Sequence, residues 1–472
     1  MAFRACALVL ALLWASAAGA QSPPNPDDEL SRIPAEEPKP PPAAPPGESR
    51  LGQLHRKLYV ESATETALLR SSLDVPLPSP NPPTIEARLF ADALLEWIPR
   101  RDLSVHFSAR AGLRAGDDIP FATHENIRVD FRELYLSWQP LGGAFLDVGR
   151  INLKSGVALG FNPTDFFKTR AVVEPLSVDP AVLREDRLGS LMLRGQYTWS
   201  FGSISAAYAP RLTSVTPVYT NSNLPSVDPM FDRTNAHHRL LVKGNVDLIA
   251  DFSPEVLFYD EDGNVRVGAN IAQSLGKKVV AYAEWAGGKE PRLANEALSY
   301  GVRTGSLPSA AASALGATSS EQFQNDVSAG LSYANESKMT FWLEYHLHQA
   351  AFSRQDWSTW FADGNGLAGS FLASTLWYIR GYAQEQQAPM SKHALFLRAD
   401  WTDAFVFNLE LTAFANINLY DGSTLAQVTA SYSVTDFWSV AAIGAAYIGT
   451  RQSEFGSLPS VLSGLFTVRR HF

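Results

Sequence analysis

Alternation of hydrophobic and polar residues with a period of two dominates the chain from residue 84 onward. In residues 103–114 the odd positions read Leu, Val, Phe, Ala, Ala, Leu, and the even positions read Ser, His, Ser, Arg, Gly, Arg. Residues 339–348 and 405–418 repeat the pattern. A period of two is typical of strands with two different faces and does not fit an amphipathic helix. The pattern therefore predicts an all-β protein.

Segments with this pattern predict the following seventeen strands: 84–97, 103–114, 127–138, 144–152, 188–199, 203–210, 238–250, 255–261, 264–273, 278–286, 324–333, 338–348, 393–401, 405–418, 424–434, 437–449 and 461–472. Residues 57–69 alternate only loosely and are either one further strand or a short helix or plug. Tight connections alternate with connections that can be long. We therefore predict one transmembrane antiparallel β-barrel of about 18 strands (16–18), with short periplasmic turns and long extracellular loops.

Aromatic residues support this topology because they fall near one predicted rim. Amphipathic rings prefer the level of the lipid headgroups. The residues at the ends of the predicted downward strands, and at the starts of the upward ones, are Trp97, Trp138, Trp199, Tyr333, Trp401, Phe405 and Trp438.

The first fifty residues differ in composition from the rest. Residues 1–20 combine Arg4, an apolar stretch and a small-residue end, which predicts a signal peptide, with an N-terminal membrane anchor as the alternative. Residues 21–50 hold ten of the 30 prolines and several acids, which predicts a disordered periplasmic tether. The tether is either a spacer or a docking segment for a periplasmic partner. Residues 51–472 are assigned to the barrel.

Composition and missing motifs exclude several classes of function. A net charge of −9 argues against nucleic acid as a partner, and a mean hydropathy of −0.08 argues against a helical membrane protein. The sequence has no hydrolase, zinc-protease or phosphate-loop motif, so we expect neither an enzyme nor a cofactor. Glu344, His346 and His348 share one strand face, but we favour a polar stripe over a metal site there. An eighteen-stranded wall encloses more space than side chains fill, which indicates a channel.

Two segments resemble known outer-membrane barrels. The C-terminal strand, with Phe466, Val468 and Phe472, resembles the terminal strand by which Gram-negative barrels are recognised for assembly. Residues 148–167 contain Gly-Arg followed by Asn-Pro-Thr-Asp and resemble large porin-like families, including alginate-export-like barrels. The resemblance implies the cell outer membrane, its lipid and the barrel-assembly machinery as partners. The expected function is passive passage of small hydrophilic solutes; the alternative is an export conduit for an anionic polysaccharide, working with a periplasmic assembly.

Polar residues on the inward face of the predicted strands are candidates for the pore lining. They are Arg88, Asp92, His106, Arg110, Arg114, Arg128, Asp130, Arg132, Arg194, Lys243, Glu344, His346, Arg398, Asp400 and Glu410. The four arginines at 110, 114, 128 and 132 could form a basic ladder that attracts anions. Alternatively, they pair across strands with acids at 92 and 130 in a solvated wall.

Long connections provide candidates for narrowing the pore. Residues 287–323 and 349–392 are too long to be idle links. The second contains an uncharged apolar stretch with Phe371, Trp377 and Tyr378, which we predict to form a constriction or to pack against neighbouring loops. Residues 162–165, Asn-Pro-Thr-Asp, predict a fixed turn that either shapes the entrance or forms a structural corner.

Overall fold

A computed structural model describes most of the chain after residue 51. The described residues are 52–77, 82–116, 127–172, 175–215, 228–247, 252–316, 318, 320–366 and 371–472. The predicted signal peptide at 1–20 and tether at 21–50 lie outside the described residues and stay predictions.

The described residues form eighteen antiparallel strands in one sheet. They are β1 Leu54–Leu69, β2 Ile85–Arg100, β3 Leu103–Gly116, β4 Ile127–Leu141, β5 Ala144–Ile151, β6 Ser190–Trp199, β7 Gly202–Ala209, β8 Arg239–Val246, β9 Glu255–Glu261, β10 Asn264–Leu275, β11 Val279–Pro291, β12 Glu321–Ala334, β13 Met339–His348, β14 His393–Trp401, β15 Leu409–Asn418, β16 Thr424–Thr435, β17 Trp438–Ile448 and β18 Ser460–His471. Each strand pairs with its neighbours in sequence. The predicted barrel fold is confirmed.

The first strand closes the ring. Glu61 on β1 lies opposite Phe90 of β2 on one side and opposite Arg469 of β18 on the other. Residues 57–69 are therefore a strand rather than a helix or plug. Closure leaves no unpaired sheet edge, which is the condition for a sheet to cross a membrane.

The two ends of the barrel differ in the length of the connections between strands. Most turns of two to four residues, such as 142–143 and 335–338, lie at one end, together with both ends of the strand series; the turn at 262–263 is an exception at the opposite end. The connections at the opposite end include 152–189 and 349–392. The predicted strand 405–418 starts later than expected, at Leu409, because Phe405 and Asn408 have positive φ angles of 61° and 67° and form part of a turn.

Alternating burial shows which face of each strand points outward. On β4, Leu134, Leu136 and Trp138 are exposed, whereas Tyr135 and Ser137 between them are partly buried. The other strands likewise expose large apolar residues, and most of their buried charged residues lie on the opposite strand face, although some strands also bury apolar side chains such as Leu241 and Phe396. An apolar outer face with a polar interior is the arrangement of a membrane barrel.

Six described helices lie in the long connections. They are α1 Pro180–Glu185, α2 Phe231–Thr234, α3 Leu293–Arg303, α4 Ser309–Ala314, α5 Arg354–Gly366 and α6 Phe371–Glu385. Helices α3, α5 and α6 share an apolar core that includes Leu298, Trp360 and Tyr382. We call these three helices, with α4, the helical cap. Within the described part of the chain, the helices are too short or too polar to cross a bilayer.

Candidate functional site

The connection between β5 and β6, residues 152–189, folds into the interior of the barrel along its described parts, 152–172 and 175–189. We call it the infolded segment. Thr164 and Asp165 are almost completely buried, with exposed fractions of 0% and 1%. Their hydrogen-bond partners are Asn270 on β10, Glu284 on β11 and Arg187 of the same segment, although the segment begins at β5. Because β11 is six strands away from β5 around the ring, the segment crosses the interior to reach it.

A glutamate on β11 holds the infolded segment against the far wall. The Glu284 carboxylate accepts hydrogen bonds from the backbone N–H of Ala158 and of Thr164 (3.4 Å). It also accepts from the Thr164 hydroxyl at 3.1 Å and from the Asn162 side-chain amide at 3.2 Å. Both carboxylate oxygens are therefore occupied by donors of the segment, and a charged acceptor strengthens such bonds.

A second glutamate, on β13, forms a similar anchor. Glu344 accepts from the backbone N–H of Leu159 at 2.7 Å and of Gly160 at 2.8 Å. Its remaining partners are the Tyr282 hydroxyl at 2.6 Å and Nε2 of His346 at 2.8 Å. Glu344 and His346, both candidates for the pore lining, thus lie beneath the infolded segment.

Two glycines allow this close docking. A Cβ atom at Gly160 would lie 2.6 Å from the Phe396 ring and 2.7 Å from the His346 ring. A Cβ atom at Gly156 would lie 2.5 Å from Glu284 Oε1, and its φ of 92° favours glycine in any case. The segment can approach the wall only because both positions lack a side chain.

The C-terminal part of the infolded segment, which leads back to β6, contacts the wall formed by β2 to β4. The contact is a cluster of four charged side chains. Nε of Arg110 donates to Asp92 at 2.7 Å, and Arg110 also pairs with Asp186 of the segment at 3.1 Å. Arg132 pairs with the same two carboxylates, at 3.1 Å in the case of Asp186. Ser108 lies opposite Glu133, whereas the next residue, Ala109, lies opposite Phe131, so Arg132 is the extra residue of a β-bulge. The bulge brings the Arg132 side chain into the cluster.

The remaining arginines of the predicted basic ladder are also paired with acids. Arg114 pairs with Glu86 at 2.5 Å, and Arg128 pairs with Asp130 at 2.6 Å. Arg88 pairs with Glu86 as well. The pairing with acids at 92 and 130, kept open as the alternative to the ladder, is the arrangement found. Because each of these arginines has a carboxylate neighbour, the long-range attraction of the arginines for anions is reduced.

The other candidate lining residues also lie on inward strand faces. Arg398 pairs with Asp179 of the infolded segment at 2.6 Å and with Asp400 at 2.9 Å. The further contacts are Arg194 with Asp147 at 3.7 Å, Lys243 with Glu255 at 3.7 Å and His106 with Ser104 at 2.9 Å, and Glu410 lies on β15. A lining role for the whole set stays a prediction.

His348, the third member of the stripe with Glu344 and His346, has a different partner. Its Nδ1 pairs with Asp326 at 2.6 Å, whereas His346 pairs with Glu344. In the parts of the chain that the structure describes, no group of three or more His, Cys, Asp or Glu side chains is arranged to hold a metal ion.

The stretch predicted as a constriction forms part of the helical cap. Helix α6 begins at Phe371, and the Trp377 and Tyr378 side chains pack into the apolar core of the cap. Nε1 of Trp377 donates to the Pro76 carbonyl at 2.9 Å. The packing against other loops, which the sequence left as an alternative, is therefore present, and a constricting role for this stretch stays a prediction.

The C-terminal residues lie on the last strand of the ring. Phe466 is exposed on the outer face of β18, and Val468 lies opposite Ser62 of β1. The backbone N–H of Phe472 donates to the Leu58 carbonyl at 2.9 Å. Their role as an assembly signal stays a prediction.

The infolded segment was not predicted from the sequence as the element that crosses the interior. Its length and its four consecutive charged residues, 184–187, were visible signals. Residues 162–165 were noted as a turn, but their strand partners lie on β10 and β11 and could not be identified from spacing. Arg187 pairs with Asp165 at 2.6 Å and fixes this turn within the segment.

The barrel resembles Pseudomonas aeruginosa outer-membrane porins. OccK11 (OpdR) is 11% identical with a TM-score of 0.51, covering 90% of this chain and 99% of the porin. OccK5 (OpdH) is 8% identical with a TM-score of 0.51, at the same coverage. OccK2 (OpdF), solved in complex with glucuronate, is 8% identical with a TM-score of 0.50, covering 89% and 98%.

These similarities concern the fold. They support the predicted large porin-like barrel and give no support to the finer resemblance to alginate-export-like barrels. No family model and no curated protein matches the sequence.

Proposed function

We propose that this protein is a passive outer-membrane channel for small hydrophilic solutes in a Gram-negative envelope. The apolar outer face meets lipid, the short turns face the periplasm, and the polar interior carries water and solute. The likeness of the fold to porins favours a channel over an enzyme and over a polysaccharide-export conduit.

The single observation that carries this proposal is the infolded segment. An eighteen-stranded cylinder is roughly 35 Å across between backbones, which is much wider than a small solute. Anchored at Glu284 and Glu344 on one wall and at Asp92 through Arg110 on the other, the segment occupies part of this width. A narrowed lumen suits small solutes, whereas a polymer conduit requires a continuous wide path.

The balance of the interior charges supports only weak selectivity between anions and cations. The cluster of Arg110, Arg132, Asp92 and Asp186 has two positive and two negative members. We therefore propose that these residues hold the infolded segment, whereas the partly exposed guanidinium of Arg114 lines the aqueous path.

Partners and maturation remain proposals from the sequence. We propose that residues 1–20 direct export to the periplasm, that residues 21–50 act as a tether, and that Phe472 is read by the barrel-assembly machinery. Outer-membrane lipid is the proposed surrounding, and alginate-export-like kinship is kept only as a hypothesis from residues 148–167.

Liposome swelling with uncharged sugars of increasing size tests this function. Purified full-length protein should admit monosaccharides rapidly and exclude large oligosaccharides, because the infolded segment narrows the lumen. Heat-denatured protein at the same protein-to-lipid ratio is the control. Equal swelling with native and denatured protein would reject the channel, and rapid entry of long oligosaccharides would favour the export conduit instead.

A further inference from the structure

The turn between β14 and β15, residues 402–408, presents an unusual apolar surface at the short-turn end of the barrel. Phe405, Val406 and Phe407 are 79%, 54% and 76% exposed, which makes the two phenylalanines the most exposed large hydrophobic residues of the described chain. Three consecutive apolar side chains at a turn tip are costly in water. Two other turns at this end carry a single exposed phenylalanine each, Phe201 at 59% and Phe437 at 45% exposure.

The backbone of this turn is held in a fixed shape. Asp403, Phe405 and Asn408 have positive φ angles of 54°, 61° and 67°, a conformation that a bulky residue such as phenylalanine rarely adopts. The carboxylate of Asp403 accepts from the Asn408 backbone N–H at 2.8 Å, and the Ala404 N–H donates to the Leu409 carbonyl at 2.8 Å. Strain maintained by specific hydrogen bonds is a feature of functional segments.

The apolar side chains continue the lipid-facing surface of the barrel. Phe405 packs edge-on against Trp401, with ring centroids 4.5 Å apart. Trp401 lies on the outward face of β14, in line with exposed Leu397. Tyr432, 38% exposed, is on the outward face of β16, next to Ser433, whose N–H donates to the Asn408 carbonyl. The turn is therefore an extension of the surface that contacts lipid, beyond the ends of the strands.

We propose that residues 404–408 form a wedge that inserts into the headgroup–acyl boundary of the periplasmic phospholipid leaflet. Continuity with Trp401 favours lipid over a periplasmic protein as the occupant, because aromatic residues next to a lipid-facing surface partition to that boundary. The wedge would fix the depth and tilt of the barrel at β14 and β15. This inference requires the barrel to lie in a membrane, but it does not depend on the solute that passes.

Spin-label accessibility in vesicles tests the wedge. In a Cys6→Ser background, which removes the single cysteine of the chain, Phe407→Cys is labelled with a nitroxide. The full-length protein is reconstituted in phosphatidylethanolamine–phosphatidylglycerol vesicles without any other protein. Glu336→Cys, in the neighbouring polar turn and 88% exposed, is the water reference. Leu397→Cys, on the outward face of β14, is the lipid reference.

We expect the label at 407 to be at least severalfold less accessible to a water-soluble nickel complex than the label at 336, and to collide readily with oxygen. Equal nickel accessibility at 407 and 336 would overturn the wedge and leave the patch to a protein partner. If the label at 397 is also open to nickel, the barrel is not embedded, and the proposed channel fails together with the wedge. Channel activity of each labelled variant confirms folding.

Discussion

Glu284→Gln should loosen the infolded segment from the far wall. The carboxylate receives four hydrogen bonds, all from donors of the segment at Ala158, Asn162 and Thr164. The amide of glutamine keeps one acceptor oxygen and turns an N–H₂ group toward donors, so about half of these bonds are lost. At about 1.5–3 kcal/mol for each bond to a charged group, docking is weakened by roughly 3–6 kcal/mol.

Single-channel recording in planar bilayers detects this change. A segment that is partly released should give a larger mean conductance and more frequent current fluctuations than the wild type. Glu96→Gln is the matched control, because it removes an inward carboxylate on β2 that contacts His106 rather than the infolded segment. If Glu284→Gln and Glu96→Gln both leave the conductance and its noise unchanged, the anchoring argument is wrong.

Three further changes probe the packing, the cap and the charge cluster. Gly160→Ala should destabilise the barrel by about 1–3 kcal/mol in denaturant titrations, because its Cβ overlaps the Phe396 and His346 rings. Glu454 lies in the connection between β17 and β18, and its backbone carbonyl accepts from Arg380 of α6 at 2.5 Å. Burial raises the pKa of Glu454 to about 7, so the stabilisation from its neutral form is full below about 4.5 and is lost as the pH rises through about 7. Protease cleavage of the helical cap should therefore accelerate from pH 5 to pH 9, and Glu454→Gln should remove this dependence. Asp92→Asn leaves one uncompensated positive charge, whose interaction energy with a monovalent ion about 7 Å away is about 0.6 kcal/mol in water. The substitution should therefore raise the anion-to-cation permeability ratio roughly two- to fivefold in reversal-potential measurements.

Each of these changes has a result that contradicts its reasoning. Gly160→Ala is compared with Gly195→Ala, where a Cβ meets no atom within 4 Å, and equal stability of the two variants would reject the steric argument. Cap cleavage that is independent of pH in the wild type would show that Glu454 does not couple to the cap. An unchanged reversal potential for Asp92→Asn would show that permeating ions do not sense the cluster.

The strands could be predicted from the sequence because burial alternates along each of them. Leu134, Leu136 and Trp138 are outward in the structure for the same reason that they stand out in the sequence: the two faces of a strand meet different solvents. Closure through residues 57–69 was also predictable, since an even number of strands places both termini at one end. The start of β15 was misplaced because Phe405 and Phe407 continue the alternation although they belong to a turn.

The candidate site was much less predictable. A period of two shows that Arg110 faces inward, but it does not show that Asp186 of a distant connection reaches it. Likewise, Glu284 and Glu344 read as wall residues, and only the path of the chain in three dimensions places residues 158–164 against them. Contacts between residues 76 or more positions apart, as these are, leave no local pattern in a single sequence.

Conductance of the wild-type protein in planar bilayers tests the central claim most directly. Purified full-length protein added to one chamber should produce discrete, ohmic current steps that increase with KCl concentration. The absence of current steps at any voltage, although the barrel is shown to be inserted in the membrane, would contradict a water-filled path past the infolded segment.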